Sequence, residues 1–448
     1  MIPSRKQSKP QRQKRVRNVG LLAGGLAGTL LLGAGIMLML PGQPEKAGTS
    51  ADAAARTASP TPAPSSAETP AAPSPSAAVS PAATASPSPS PSLRPSGAEN
   101  AAATSTPIPA PSVKPPAAPA AGGAETAGPD PANDPHSVKL SFVGDVIMAS
   151  AVETLLKQHG YDYPYTEVKA DLERADLAIA NLETPISLRG APQSKEYTYR
   201  SSPLALPPFK EAGFDLVNLA NNHILDYGQD ALLDTFDNLK KNGIPYVGAG
   251  HNSQEAFEPV ILDKKGMRIA FLGFSRVVPD NSWKAGPNHP GVADTYNYTV
   301  PVESIRKARE KADLVVVIAH WGVERQSQAE AYQRDLAHRY IEAGADLIIG
   351  GHPHVLQGFE KYKGKWIAYS LGNFIFTTNT VKETLDSMIL EASCSKDRQC
   401  SLKALPIFTQ WAKPVPMQPA DAAKLFDRLS KVSYGSRILP DGRISAEP

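Results

Sequence analysis

Residues of the kinds that bind divalent metal ions recur along this chain, each directly after an apolar run. They fall at five places: Gly144-Asp145; Asn181-Leu182-Glu183; Asn221-Asn222-His223, with Asp226 just beyond; His320-Trp321; and His352-Pro353-His354. Carboxylate, amide oxygen and imidazole together suit Mn, Fe or Zn. A shared carboxylate would let two ions lie about 3.5–4 Å apart, an arrangement that serves displacement at phosphorus. The pattern predicts a site for one or two divalent metal ions.

Each of these residues, taken alone, also fits a plainer role. Asp145 after a glycine fits a helix cap or a turn, and Asn221 and Asn222 fit a turn. Glu183 fits a surface charge, and His320 beside a tryptophan fits a hydrogen-bonded core histidine. We favour the metal site because the five places follow successive apolar runs.

Apolar runs alternate with amphipathic segments from Ser137 onward. Strands are predicted at 138–143, 176–180, 214–219, 260–262, 268–273, 314–319, 346–349 and 366–371, and helices near 150–158, 204–212, 229–242, 302–312 and 328–343. This alternation predicts an α/β fold with a mostly parallel sheet covered by helices. Because ligands of such sheets bind beyond the carboxyl ends of the strands, the five places are expected to converge.

The sequence after residue 377 offers no further candidate chemistry. Residues 387–392 and 402–408 predict an edge hairpin, and residues 419–431 predict a helix. Cys394 and Cys400 lie near the turn of that hairpin, either as a local disulfide or as two unpaired thiols. We favour the disulfide, because the topology inferred next places the domain on an oxidising side of the membrane.

The first 40 residues have the character of a membrane anchor. Residues 1–18 contain basic but no acidic residues, and residues 19–40 contain no charge at all. A helix over 19–40 would span about 33 Å, which matches the hydrocarbon core of a bilayer. The basic cluster predicts a cytoplasmic tail, so the rest of the chain is expected outside the cell membrane. A cleaved signal peptide is the alternative, although its apolar region is normally shorter.

Residues 41–136 are rich in Pro, Ala, Ser and Thr and poor in large apolar residues. Such a segment cannot bury enough apolar surface to offset its ordering entropy, so it is predicted to be a disordered, extended spacer. Residues 137–448 would then form one folded domain. The formal net charge of +2 gives no reason to expect nucleic acid as a partner.

The chain resembles the CapA family of capsule-synthesis proteins, known from bacterial poly-γ-glutamate capsule systems. The resemblance covers residues 138–376 and is carried, in order, by the segments 142–148 (FVGDVIM), 180–185 (ANLETP), 212–223 (AGFDLVNLANNH), 226–228 (DYG), 248–250 (GAG), 320–322 (HWG), 351–354 (GHPH) and 370–374 (SLGNF). It implies a four-layer αββα sandwich of the calcineurin-like metallophosphatase type. The implied metal ligands are Asp145 and His354 for a first ion, Glu183 as the bridge, and Asn222, His320 and His352 for a second ion.

The resemblance also implies roles in catalysis and substrate binding. His223 would be the general acid that protonates a leaving oxygen, and Asp226 would orient it. Lys195 and Arg200 would meet an anionic substrate, together with Asn221. The alternative for the two basic residues is that they are solvated charges on a loop.

The chain departs from ordinary metallophosphatases at one position. Those enzymes carry a His two residues after the first Asp, where this chain has Ile147. Two functions therefore stay open: a metal-dependent hydrolase acting on a phosphoester or an anionic envelope polymer, and a non-catalytic polymer-binding or scaffold component of a capsule synthesis or export complex. The resemblance supports the biological setting of both.

Overall fold

The computed structural model describes residues 130–377 and 381–447. The predicted cytoplasmic tail, the predicted anchor and residues 41–129 of the predicted spacer lie outside the described residues. Within the described residues, no helix has the length and apolarity needed to cross a membrane. The last residues of the predicted spacer include a single 3-10 turn, Pro131–Asn133, which is capped by the side chain of Asp130.

Strands and helices alternate through the first two thirds of the described chain. The strands are β1 (Val138–Val146), β2 (Leu177–Leu182), β3 (Phe214–Asn218), β4 (Tyr246–Val247), β5 (Ala249–Gly250), β6 (Val260–Lys264), β7 (Met267–Ser275), β8 (Gly291–Val292), β9 (Leu314–His320), β10 (Leu347–Gly351), β11 (Phe359–Tyr362), β12 (Lys365–Ala368), β13 (Asn373–Ile375), β14 (Asp386–Cys394), β15 (Cys400–Gln410), β16 (Lys413–Pro416), β17 (Ser436–Ile438) and β18 (Ile444–Ala446). The helices are α1 (Ala151–His159), α2 (Lys169–Leu172), α3 (Leu206–Glu211), α4 (Gly228–Lys241), α5 (Ser253–Phe257), α6 (Thr299–Lys311), α7 (Ala331–Ala343) and α8 (Pro419–Val432). Each strand and helix predicted from residue 137 onward has a counterpart here, so the mixed α/β class is confirmed.

The larger strands form two mixed sheets. One has the order β16-β15-β14-β1-β2-β3-β4, with β13 pairing beside β1, and the other has the order β11-β12-β10-β9-β7-β6. The central strands of each sheet are parallel, and the outer strands β14 to β16, β6 and β11 are antiparallel to their neighbours. The prediction of one mostly parallel sheet was wrong in this respect, because alternation of strands and helices does not tell which strand joins which sheet.

Apolar side chains on both faces of each sheet explain how the layers pack. One cluster joins the facing sides of the two sheets and includes Leu140, Phe142, Ile179, Phe271, Val316 and Ile349. A second cluster packs the other face of the larger sheet against α1, α3 and α4, and a third packs the smaller sheet against α6 and α7. Each fully buried side chain of this size contributes roughly 1.5–3 kcal/mol, so this burial holds the strand ends in place.

The C-terminal strands extend the larger sheet beyond β1. β14 and β15 form the predicted hairpin, and the register pairs Cys394 with Cys400. The two cysteines form a disulfide, which confirms the favoured prediction. The hairpin is not at the sheet edge as predicted, because β14 pairs with β1 and β16 pairs outside β15. The edge strand β16 carries Pro414 and Pro416.

Candidate metal centre

The predicted metal-binding residues meet at the carboxyl ends of the parallel strands. Asp145 lies near the end of β1 and Glu183 directly after β2, in the larger sheet. His320 ends β9, and His352 follows β10, in the smaller sheet. Because the facing strands end at the same side of the domain, residues distant in sequence come together there.

Gly144 makes room for the approach of two chain segments beside Asp145. A Cβ atom at this glycine would lie 1.9 Å from the carbonyl oxygen of Gly372, which no other residue type could tolerate. The close contact lets the backbone N–H of Asp145 donate to that same carbonyl at 2.9 Å. The segment before β13 is thereby fixed against the end of β1.

Six residues were predicted to bind metal, and five of them form two overlapping groups. The first ligand group is Asp145, Glu183 and His354, and the second ligand group is Glu183, His320 and His352. Within each group the candidate ligand atoms lie within 4.8 Å of one another. The sixth residue, Asn222, places its Oδ1 2.8 Å from Nε2 of His320. Glu183 belongs to both groups, which is the position of a bridging ligand.

Two atoms of these groups are buried without a hydrogen-bond partner. They are Oε1 of Glu183 and Nδ1 of His352. A buried polar atom without a partner costs about 1–3 kcal/mol, and such atoms are rare unless something else satisfies them. A divalent cation would satisfy both, so the donor set fits metal ions and does not fit a merely structural cluster.

The pKa values of the cluster show what a cation would change. Burial and the negative charge of Asp145 raise the pKa of Glu183 well above its ordinary value. Burial lowers the pKa of His320 to about 3, and burial with the neighbouring histidines lowers the pKa of His352 well below its ordinary value. Both imidazoles are therefore neutral, the form that binds metal. A bound cation would supply the positive charge that allows Glu183 to ionise.

Asp145 and His354 form the charged pair of the cluster. Burial alone would raise the pKa of Asp145, but the hydrogen bond and positive charge of His354 outweigh burial and lower it to about 2. Burial opposes protonation of His354, but its hydrogen bond to Asp145 and the charge of Glu183 raise its pKa to about 9. Metal binding would therefore displace a proton from His354.

Asn181 is the centre of the hydrogen-bond network, a role the sequence did not reveal. Its Nδ2 lies 2.7 Å from Oδ1 of Asp145 and 3.1 Å from Oε2 of Glu183, and it donates to both carboxylates. Its Oδ1 accepts from Nδ2 of Asn218 at 2.8 Å, which fixes the orientation of the amide. Asn181 thus holds the ligands of the first group in position.

His223, the predicted general acid, is buried and is held by a carboxylate and an aromatic ring. Its Nδ1 is 2.6 Å from Oδ2 of Asp226, and its ring lies 4.7 Å from the ring of Tyr199. Burial lowers the pKa of His223, against the opposing effect of Asp226. Lys195 donates to Oδ1 of Asp226 and to the backbone carbonyl of Asn222, both at 2.6 Å. The carboxylate of Asp226 therefore holds the imidazole at Nδ1, and Nε2 is the ring nitrogen that this carboxylate does not use.

The three residues predicted to bind substrate are held by the protein itself. Both ends of the Asn221 side chain are used: Nδ2 donates to Oδ1 of Asn181 and the carbonyl of Leu182, and Oδ1 accepts from two backbone N–H groups. Asn221 is fully buried, and its contact with a substrate stays a prediction. Arg200 donates to the backbone carbonyl of Arg189 and stacks on a tyrosine ring, and Lys195 forms the ion pair described above.

Comparison with known proteins places this site in a family. The model of the bacterial capsule synthesis protein PGA_cap family matches residues 139–378, which include every residue of the two ligand groups. The chain belongs to the PGA_cap family. The resemblance inferred from the sequence is thereby confirmed, and the site described above lies within the PGA_cap domain.

Two relatives are identical to this chain at about a third of the aligned residues. The capsule biosynthesis protein CapA of Bacillus anthracis is 34% identical over 301 residues, covering 65% of this chain and 72% of the relative. The PGA biosynthesis protein CapA of Bacillus subtilis is 33% identical over 311 residues, covering 68% and 81%. The chain is therefore homologous to capsule biosynthesis proteins. A solved 5′-nucleotidase from Candida albicans overlaps 60% of this chain and 51% of its own at 13% identity and a TM-score of 0.35, which carries no inference by itself.

Arg276 is a second residue of the PGA_cap domain that sequence reasoning missed. It follows the last residue of β7, and its backbone N–H donates to the carbonyl of His320 at 2.8 Å. Its guanidinium lies 4.0 Å from the ring centroid of Tyr296 and 5.5 Å from that of Tyr332. Within residues 130–377 and 381–447, no carboxylate forms an ion pair with it. No pattern in the sequence distinguishes this arginine, because the two rings that hold it come from later segments.

Proposed function

We propose that this chain is a capsule or poly-γ-glutamate biosynthesis protein whose PGA_cap domain is a metal-dependent hydrolase of the phosphoesterase type. The observation that carries the proposal is Glu183, which is shared by two ligand groups and has a buried oxygen without a hydrogen-bond partner among the described residues. Two sheets packed together with helices outside them support the finer assignment, a four-layer αββα sandwich of the metallophosphatase type.

The proposed site holds one or two ions of Mn, Fe or Zn. Asp145, Glu183 and His354 would hold the first, and Glu183, Asn222, His320 and His352 the second. When bound, the ions would stabilise negative charge that develops on a phosphoryl or acyl group. His223 would donate a proton from Nε2 to the leaving oxygen, with Asp226 holding its other ring nitrogen.

The proposed location is the outer side of the cell membrane. Support comes from the basic residues 1–18 and the uncharged residues 19–40, which would form a cytoplasmic tail and a single-pass anchor. The Cys394–Cys400 disulfide adds support, because such bonds persist in oxidising compartments. Residues 41–136 would act as the spacer. An anionic envelope polymer or phosphoester as substrate, and other capsule synthesis subunits as partners, fit this location.

A non-catalytic, polymer-binding or scaffold role is the second candidate. It is favoured by one observation: buried Ile147 stands where ordinary metallophosphatases carry a His, so the first ligand group keeps three donors while Asn222 adds a fourth to the second. A site that holds metal only to shape a surface would tolerate such a difference.

His223→Ala distinguishes the two candidates. The purified domain, residues 130–448, would be loaded with Mn²⁺ and assayed with aryl phosphomonoesters and phosphodiesters. We expect His223→Ala to lose roughly 10²–10⁴-fold in turnover while its metal content, measured by elemental mass spectrometry, stays at the wild-type level. His251→Ala is the matched control, because that histidine is 54% exposed. Turnover of His223→Ala equal to that of an active wild type would refute His223 as the general acid, and metal-loaded wild type without any turnover would refute the hydrolase and favour the scaffold.

A further inference from the structure

The two ligand groups are unequal in the number of donors they offer. The second group has three ligand atoms, and Oδ1 of Asn222 adds a fourth beside His320. The first group has only three, from Asp145, Glu183 and His354. A tetrahedral or larger coordination sphere built from protein needs at least one more atom at the first group.

Asn373 lies where that atom is needed. It is the first residue of β13 and the register partner of Asp145 in the parallel pair β1–β13. Its side chain is completely buried. Oδ1 of Asn373 lies 2.8 Å from Nδ1 of His354. Asn373 belongs to the SLGNF segment, residues 370–374, and lies 190 residues after Glu183. Its position in the sequence therefore did not indicate that it lies near this ligand.

The orientation of the Asn373 amide is fixed by its other end. Nδ2 donates to the backbone carbonyl of His354 at 3.3 Å and to that of Thr384 at 3.1 Å. Carbonyl oxygens accept but do not donate, so the nitrogen must face them and the oxygen must face the His354 ring. The two hydrogen bonds of Nδ2 and the contact of Oδ1 with His354 therefore orient the amide oxygen toward the first group.

Three atoms converge around one point at the His354 ring. Nδ1 of His354 is 2.8 Å from Oδ1 of Asn373 and 3.3 Å from Oδ2 of Asp145. Both oxygens therefore face the same ring nitrogen. A cation bound at this point would meet all three atoms. The second group has the same geometry, since Oδ1 of Asn222 lies 2.8 Å from Nε2 of His320.

We propose that Asn373 supplies the fourth protein ligand of the first metal ion, through Oδ1. This inference rests on the metal-binding part of the proposed function. It makes the first site one imidazole and three oxygens, whereas the second site has two imidazoles and two oxygens. Oxygen-rich sites suit harder cations, so the first site is assigned a preference for Mn²⁺ over Zn²⁺.

The test counts metal ions in variants of Asn373. Wild type, Asn373→Ala, Asn373→Asp and His354→Ala would be saturated with Mn²⁺, desalted and measured by elemental mass spectrometry. We expect two equivalents in wild type and in Asn373→Asp, which keeps an oxygen donor. We expect Asn373→Ala and His354→Ala to retain one equivalent each.

Ser387→Ala is the matched control for disturbance of the loop before β13. Oγ of Ser387 is buried and donates to the backbone carbonyl of Leu371, but it touches neither ligand group. This variant is expected to keep two equivalents. Thermal unfolding of each variant identifies any that fail to fold, and Asn373→Asp then decides the question, because a retained oxygen donor must restore the second equivalent.

The outcomes separate this inference from the proposed function. If Asn373→Ala keeps two equivalents at saturation and is only weaker in affinity, Asn373 is a positioning residue and the inference is overturned. Equal affinity of wild type and Asn373→Ala overturns it as well. Wild type that binds no metal at all instead refutes the proposed metal centre itself.

Discussion

Lys195 and Asp226 form a buried ion pair, with Nζ of the lysine 2.6 Å from Oδ1 of the carboxylate. The other oxygen of Asp226 holds Nδ1 of His223 at 2.6 Å. A lysine that the sequence assigned to the substrate therefore acts, in the structure, on the carboxylate that orients the imidazole. Nζ of Lys195 also lies 3.2 Å from Nδ1 of His223, so the lysine contacts both members of the pair. Its contact with a substrate stays a prediction.

Replacing Lys195 by methionine is expected to destabilise the fold by about 3 kcal/mol, because it leaves the completely buried Asp226 without its cationic partner. Urea unfolding of wild type and variant would measure the difference. Lys210→Met is the control, since its pair with Asp215 is 38% and 28% exposed and should contribute less than about 1 kcal/mol. Equal losses for the two variants would contradict the burial argument.

Asn181→Ala is expected to weaken Mn²⁺ binding by roughly 10–100-fold, because the amide orients Asp145 and Glu183 without binding the ion itself. Isothermal titration with Mn²⁺ gives the affinity directly. Asn218→Ala, which removes the contact that steadies Asn181 and two hydrogen bonds to the backbone of Ala220, should have a smaller effect on the affinity. The opposite order of the two variants would show that Asn181 is not the residue that positions the ligands.

The sequence predicted most of this site because its ligands follow apolar strands. Asp145 lies one residue before the end of its strand, His320 ends a strand, and Glu183 and His352 directly follow one. The apolar runs in the sequence show where these strands end. Asn221 is different: it lies in the same run as Asn222, and only the hydrogen bonds of its amide show that it faces inward. Which oxygen or nitrogen of a side chain is already occupied depends on contacts across the fold, and no local pattern records them.

The fold was predictable to the same extent. The strand positions follow from apolar runs, but the division into two sheets depends on which faces meet in the core. β13 has only three residues and pairs with β1, far away in sequence. Short strands carry too little pattern for prediction, and this one bears Asn373.

Arg276→Ala is expected to raise KM for an anionic phosphoester by about tenfold with little change in kcat. The reason is that its guanidinium forms no ion pair within the described residues and belongs to a strand end whose backbone contacts His320, so it can bind the substrate anion. Steady-state kinetics on the metal-loaded domain would test this. Arg200→Ala is the comparison, since that guanidinium is already bonded to backbone carbonyls. If Arg200→Ala raises KM and Arg276→Ala does not, the original assignment of Arg200 is restored.

Glu360 predicts a pH dependence of stability outside the metal centre. Burial would raise its pKa, but hydrogen bonds from Arg334, Tyr369 and His338 outweigh burial and lower the pKa below 4.5. A lowered folded-state pKa stabilises the fold above the unfolded pKa, and the stabilisation is lost as the pH falls through the folded value. Glu360→Gln should therefore be less stable than wild type at neutral pH.

The difference between Glu360→Gln and wild type should shrink between neutral pH and an acidic pH below the lowered pKa of Glu360, where wild type is itself protonated. Chemical unfolding at the two pH values measures it. Glu303→Gln, at a side chain that is 52% exposed, should match wild type at both. A gap for Glu360→Gln that is the same at both pH values would argue against an ionised Glu360.

The prolines of β16 affect whether copies of this domain can pair through the edge of the larger sheet. The N–H of Met417 donates inward to β15, and the register therefore turns the nitrogens of Pro414 and Pro416 outward. Neither nitrogen carries a hydrogen, so this border of the larger sheet has no donor to offer a passing strand. Neighbouring copies at high local concentration therefore cannot pair through this edge to form intermolecular β-aggregates.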